Sequence, residues 1–159
     1  MPIKNIKGEQ GFTLLELIVN IAIVAILTAI AVPAYINFRD KARIAQAKSD
    51  LHNIDLAIEQ LANDTAQWPG PRPVGVITNT AVWNLSATSG GLVKASKSFT
   101  NWRGPYMKSV PTDPWGNNYF FDDSYIISGT KYAVIGSFGP NGCCKNKPDS
   151  DDIVVKLTP

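Results

Sequence analysis

Only two cysteines occur in the chain, and they are adjacent, Cys143 and Cys144. That spacing excludes a zinc finger and a thioredoxin-like pair, which need residues between their sulfurs. Histidine occurs once, at His52. There is no G-x-S-x-G elbow and no glycine-rich phosphate loop, so neither an acyl-transfer site nor a nucleotide site can be drawn. A charge excess is also missing. The 15 basic residues face 13 acidic ones, which gives little support for a nucleic-acid surface. Asp122 and Asp123 are neighbours on what reads as a hairpin turn. In an extended chain they point apart and make a poor acid–base pair. The chain therefore reads as a non-enzyme, of a length suited to one ordinary domain.

What the chain does have is a long apolar run near its N-terminus. Residues 1–11 are polar and include Lys4 and Lys7. From Phe12 to Ala34 the chain is apolar except for Glu16, Asn20 and two threonines. At about 1.5 Å per residue, a helix there could span a bilayer core of roughly 30 Å. A secretory signal peptide is one reading, and Ala29-Ile30-Ala31 even offers an A-x-A-like cleavage site. Its apolar region, however, is usually only about 7–15 residues long. A plain anchor is another reading, and it leaves Glu16 unexplained. A carboxylate inside a span costs on the order of 2.5–3.5 kcal/mol, although an early position lets it snorkel. Orientation is undecided, because Lys4 and Lys7 stand on one side and Arg39, Lys41 and Arg43 on the other.

The stretch "GFTLLE" resembles the processing site of type IV prepilins and type II secretion pseudopilins. The resemblance implies that a prepilin peptidase cuts between Gly11 and Phe12 on the cytoplasmic side and N-methylates Phe12. Counting from Phe12, Glu16 is the fifth mature residue, where the family carries a glutamate. Pro33 is the twenty-second, where many members carry a helix-kinking proline. Glu16 would then neutralise the new amine of a neighbouring subunit during assembly. Desolvation cancels much of that attraction, so the pair's main effect would be to reject wrong staggers, which leave Glu16 unpaired. Asn20 either hydrogen-bonds across helices or faces its own helix.

Beyond the apolar run, Ile44, Ala47, Leu51, Ile54, Ile58 and Leu61 recur at spacings of three and four. They predict an apolar helix stripe packed on a small C-terminal sheet. His52 lies off this stripe and reads as a solvated residue. A helix from Phe12 to about Asn63 would run roughly 75–80 Å. No core of this size buries such a helix, so its first half must be covered by lipid and then by other subunits. Pro69, Gly70, Pro71 and Pro73 stop it. A connector follows to about Asn117, with a short helix or strand expected around Val74–Leu85. Trp68, Trp83 and Trp102 predict packing there. Strands are expected at Tyr119–Phe121 and in "SYIISGT", "KYAVIGS" and "DIVVKL".

The segments W-R-G-P-Y and D-P-W-G-N, with the tyrosine strand that follows, resemble the major pseudopilin of type II secretion systems. The match weakens between Trp68 and Trp102, where Trp68-Pro69 replaces the family's Y-P dipeptide. The implied fold is α+β, the pilin fold. A long N-terminal helix with a protruding hydrophobic half packs on a small antiparallel sheet. The implied segments are a leader at 1–11, a membrane or filament-core helix at 12–34, its amphipathic half at 35–63, a connecting loop at 64–117 and the sheet at 118–159.

Near the C-terminus, "SFGPNGCCKNKPDSDDIVV" clusters oxygen donors on a loop, which suits Ca²⁺. On physics alone a solvated acidic loop is the plainer reading. The loop is similar to the calcium loop of major pseudopilins, which ends in an aspartate before an isoleucine, as Asp152 precedes Ile153 here. The ligands so implied are Asn141, Asp149, Asp151 and Asp152, with Asn141 standing where an aspartate is usual. Cys143-Cys144 departs from that pattern. A vicinal disulfide, two free thiols and an intersubunit bridge all remain open.

Three functions compete. The first is a pseudopilus subunit driving protein export by a type II secretion system. The second is a type IV pilin for adhesion, motility or DNA uptake. The third is an anchored calcium-binding domain that never polymerises. The resemblance implies the first. It also implies a homopolymer, minor pseudopilins or pilins, the prepilin peptidase and an inner-membrane assembly platform as partners. No nucleic acid is expected. The chain would cross the inner membrane once, with a cytoplasmic leader and a periplasmic domain, before joining a periplasmic filament (extracellular for a true pilus).

Overall fold

The computed structural model describes residues 12–145 and 149–158. The chain divides into two compact units, residues 1–40 and 41–159. Helix α1 (Leu14–Thr65) has 52 residues. In the first unit every described residue is exposed, among them Leu14, Ile18, Ile21, Leu27 and Phe38. Apolar side chains at that density have no protein cover among the described residues. Among the described residues α1 is the one helix long and apolar enough to cross a membrane. Pro33 lies inside it, and the helix continues without a break. Its missing N–H costs one ladder bond, which good helix formers on both sides can absorb.

In the second unit α1 buries Ala47, Leu51, Ile54, Ala57, Ile58, Leu61 and Thr65. This is the predicted stripe, with one correction. Ile44 is 37% exposed and lies outside the core. Strands β3 (Ala81–Val82), β4 (Phe120–Ile127), β5 (Thr130–Ser137) and β6 (Ile153–Lys156) form an antiparallel sheet in that order. Alternation sorts its two faces. Phe121, Ala133 and Ile135 join Tyr119 and Leu157 against the helix stripe. Phe120, Val134 and Phe138 pack on the other face with Tyr125, and Trp83 rests on them. Gly136 is required in this packing, because a Cβ there would lie 2.7 Å from the Phe120 ring and 2.8 Å from Val154.

The stretch Tyr119–Phe121 and "SYIISGT" are not two strands. β4 runs through both, with a bulge between Asp122 and Tyr125. The turn lies at Ser128-Gly129, both at positive φ, not at Asp122-Asp123. Side chains explain the difference. Asp123 is fully buried and accepts the backbone N–H of Thr78 (2.9 Å), its hydroxyl (2.6 Å) and the N–H of Thr80 (2.8 Å). Asp122 accepts the N–H of Ser124 at 2.8 Å, which shapes the bulge.

The region expected to connect helix and sheet holds structure of its own. β1 (Gln67–Trp68) and β2 (Arg72–Pro73) make a small hairpin. β3 extends the main sheet. Leu85, Leu92 and Phe99 are buried in the core. The W-R-G-P-Y segment is tied down through its aromatics. Trp102 donates to the Gly91 carbonyl (2.7 Å), the Tyr106 hydroxyl donates to Asp64 on α1 (3.0 Å), and the two rings meet edge to face.

The register of the stripe carries a testable consequence. Leu51→Ala removes a fully buried side chain and is expected to cost about 2–5 kcal/mol. Leu56→Ala, at a position 45% exposed, should stay within about 0.5 kcal/mol. Chemical denaturation of the two variants checks the difference.

Candidate functional site

Two regions concentrate residues that packing alone does not explain. The first opens α1. Thr13 precedes the helix, and its N–H (2.9 Å) and hydroxyl (2.8 Å) both donate to one oxygen of Glu16. The Glu16 N–H returns a bond to the Thr13 hydroxyl at 3.3 Å. This is a capping box, which satisfies donors that a helix start leaves free. The carboxylate is thus held within its own chain, and an incoming amine would have to compete with Thr13. The sequence carries this signal as T-x-x-E, a cap that the reading of Glu16 as a membrane charge and a partner for the Phe12 amine does not include. Gly11, on the other side of the expected cut, lies outside the described residues, and Phe12 is exposed.

The second region is the acidic loop between β5 and β6, and D-P-W-G-N supports it from below. Asp113 is buried and accepts the N–H groups of Trp115 (3.1 Å) and Asn117 (2.7 Å). Its other oxygen accepts the Ser137 hydroxyl, which in turn accepts the Gly139 N–H at 3.0 Å. The loop therefore starts from a fixed point. Gly139 has a φ of +64°, and a Cβ there would lie 2.2 Å from the Asp151 carbonyl oxygen. Only glycine lets the two ends of the loop meet so closely.

Asn141, Asp149, Asp151 and Asp152, the predicted ligands, converge in this loop. The Asn141 amide nitrogen donates to Asp149 (3.0 Å) and to Asp151 (2.7 Å), so it bridges two carboxylates. Its carbonyl oxygen accepts the Cys143 N–H at 2.8 Å. Asp152 turns one oxygen to the Tyr125 hydroxyl (2.6 Å) and the Asp149 N–H (3.1 Å). Its other oxygen is buried and has no partner among the described residues. Burial holds the Asp152 carboxyl above the usual aspartate range, against the lowering effect of Tyr125. Burial, then the bond to Asp152, pushes the Tyr125 hydroxyl well above its ordinary value.

Cys143 and Cys144 are joined in a disulfide. Their sulfurs lie within 4.8 Å of an Asp149 oxygen, but bonded sulfurs are not thiolate ligands. Oxygen chemistry suits a hard cation: the Asn141 amide bridges Asp149 and Asp151, and one buried Asp152 oxygen has no donor among the described residues. The remaining element is Lys145, whose ammonium stands 5.8 Å from the Trp83 ring centre and fastens the loop to the outer face of the sheet.

Comparison with known proteins fits this picture. The family profile described as "Type II secretion system (T2SS), protein G" matches residues 82–156. A second, "Prokaryotic N-terminal methylation motif", matches residues 6–32. The type II secretion system core protein G of Pseudomonas aeruginosa is 31% identical over 154 residues, covering 90% of this chain and 94% of that protein. The protein of the same name from Klebsiella pneumoniae is 29% identical over 158 residues, covering 96% of each. The crystal structure of the major pseudopilin from the type 2 secretion system of enterohaemorrhagic Escherichia coli superposes with a TM-score of 0.52. That match has 24% identity and covers 75% of this chain and 90% of that one, a likeness of fold.

Proposed function

The chain belongs to the type II secretion system protein G family, and on that premise we propose that it is a structural subunit of the pseudopilus filament that drives protein export. The observation that carries the proposal is the uncovered apolar segment of α1. Leu14 to Phe38 is exposed in a lone chain, which requires lipid first and other subunits afterwards. Its partners are further copies of itself and other pseudopilins, brought together by an inner-membrane assembly platform. Before assembly the segment holds the chain in the inner membrane, with residues 1–11 on the cytoplasmic side and the sheet domain in the periplasm. The role is mechanical, and no catalytic step is assigned to it.

The same proposal gives the N-terminus a fate. A prepilin peptidase cleaves between Gly11 and Phe12, and Phe12 is methylated. The amine so created pairs with Glu16 of a neighbouring copy, displacing the Thr13 bonds. Pro33, which supplies no ladder donor, marks where the helix stretches when copies repack. Mass spectrometry of the membrane-extracted chain is expected to find methylated Phe12 as the first residue. A chain starting at Met1 or at Val32 would overturn this reading.

For the acidic loop we propose Ca²⁺. Asp149, Asp151 and Asp152 would hold it, and Asn141 would add its carbonyl oxygen once the amide turns over. Bound there, the ion supplies charge neutralisation and closes the loop onto β6. The support is a buried Asp152 oxygen with no donor among the described residues, on the loop where Asn141 bridges Asp149 and Asp151.

A further inference from the structure

Between Phe12 and Ala34 four side chains are polar, and three of them are occupied within the chain. Thr13 and Glu16 bond to each other, and the Thr28 hydroxyl donates to the Val24 carbonyl at 2.6 Å. Asn20 is exposed and makes no hydrogen bond among the described residues. It lies about 12 Å along the axis from Phe12, where the apolar run begins, too deep for so short a side chain to reach the bilayer surface. Acyl chains offer an amide neither donor nor acceptor, so Asn20 needs a protein partner. We propose that this partner is Glu16 of an adjacent copy, and that the contact sets the register between copies. The proposal rests on the filament reading of the chain.

Spacing selects that partner. Asn20 follows Glu16 by four residues, so both stand on one ridge of α1. Glu16 follows Phe12 by the same four. A shift of about 6 Å along the axis brings the Phe12 amine of one copy level with Glu16 of the next. The same shift brings Glu16 of the first copy level with Asn20 of the next. Hydrogen-bonding capacity matches as well. Both Thr13 donors sit on Oε2 of Glu16, and Oε1 has no donor among the described residues. A carboxylate only accepts, and an amide nitrogen has N–H groups to donate. The amine takes Oε2 from Thr13, and the Asn20 amide donates to Oε1. Copies standing level leave the amine without Glu16, and larger shifts carry Glu16 past Asn20, so both are rejected by unpaired polar groups. On the opposite side of the helix Leu15, Ile18, Ala22 and Ile26 are exposed and hold no polar side-chain atom that would compete.

Cysteine cross-linking in sheared filaments tests the register. Ile23 and Leu27 are exposed, four residues apart, and follow Asn20 on the same side of α1. Copies bearing Ile23→Cys, mixed with copies bearing Leu27→Cys, should cross-link to each other in preference to their own kind. The native cysteines are bonded to one another and do not compete. Asn20→Leu in both copies should lower the mixed cross-link and the filament yield about tenfold, the scale of a hydrogen bond to a charged group. The membrane pool of cleaved subunit should stay unchanged, because losing an amide does not hinder insertion. Asn20→Gln keeps the amide and should retain most of both signals. Asn20→Asp keeps the shape without the donor and should lose them as Asn20→Leu does. Normal cross-linking and yield from Asn20→Leu would overturn the contact and leave the filament reading standing. Preferential cross-linking of each variant to its own kind would mark level pairing and overturn the contact in the same way. Absence of filaments from the wild-type chain would overturn the filament reading, and the contact with it.

Discussion

Glu16→Ala is expected to leave membrane insertion and cleavage intact and to reduce filament yield at least about tenfold. Removing a charge from an apolar segment eases insertion, by roughly 2.5–3.5 kcal/mol for a carboxylate at mid-span and less near an end. Assembly is different, because the amine on Phe12 then enters an apolar bundle without a counter-charge, a state that costs several kcal/mol. The capping box supplies the decisive control. Alanine removes both the charge and the cap, and loss of a cap alone costs only about 1 kcal/mol. Glutamine can still reach back to the Thr13 N–H but carries no charge. Glu16→Gln should therefore fail to assemble as Glu16→Ala does. Sheared-filament yield, read beside the membrane pool of cleaved subunit, measures both. Normal filaments from Glu16→Gln would reassign Glu16 to capping the helix.

The second large effect concerns the acidic loop. Binding to the folded state alone adds about 2.7 kcal/mol when Ca²⁺ is a hundredfold above its dissociation constant. For the sheet unit, which has its own core, that is a rise of roughly 10 °C in Tm relative to chelator. Asp152→Ala removes the buried oxygen that lacks a donor among the described residues and should abolish most of the rise. Asn141→Asp replaces the masking amide by a fourth carboxylate and should enlarge it, at a cost in stability without the ion. Mg²⁺, which demands a tighter octahedral shell, should not substitute. An unchanged Tm on chelation, with no heat of Ca²⁺ binding at millimolar concentration, would show the loop to be merely acidic.

What the sequence made legible follows from the range of each interaction. The stripe from Ala47 to Leu61 was readable because a helix repeats every three to four residues and its packing face is written locally. The apolar run from Phe12 was readable for the same reason. Ile44 fits the period yet stays outside the core, because periodicity does not say where the covering sheet ends. The bulge in β4 was hidden, since it depends on Asp123 reaching Thr78 and Thr80 more than forty positions away. The link from Asp113 through Ser137 to Gly139 was hidden in the same way, although D-P-W-G-N carried the family resemblance. Loop composition pointed to the aspartates, and the resemblance to the family's calcium loop implied the set Asn141, Asp149, Asp151 and Asp152. It did not show that Asn141 meets Asp149 and Asp151 through its nitrogen, an orientation set by the Cys143 N–H.

The central claim is that this chain builds the filament of an export system. The most direct test is deletion of its gene in the native host, with export to the medium and surface pili followed together. Loss of the chain should strand exported proteins in the periplasm and leave surface pili unchanged, and the wild-type chain, but not Glu16→Ala, should restore export. Normal export together with lost pili, twitching or DNA uptake would contradict the account and make the chain a type IV pilin.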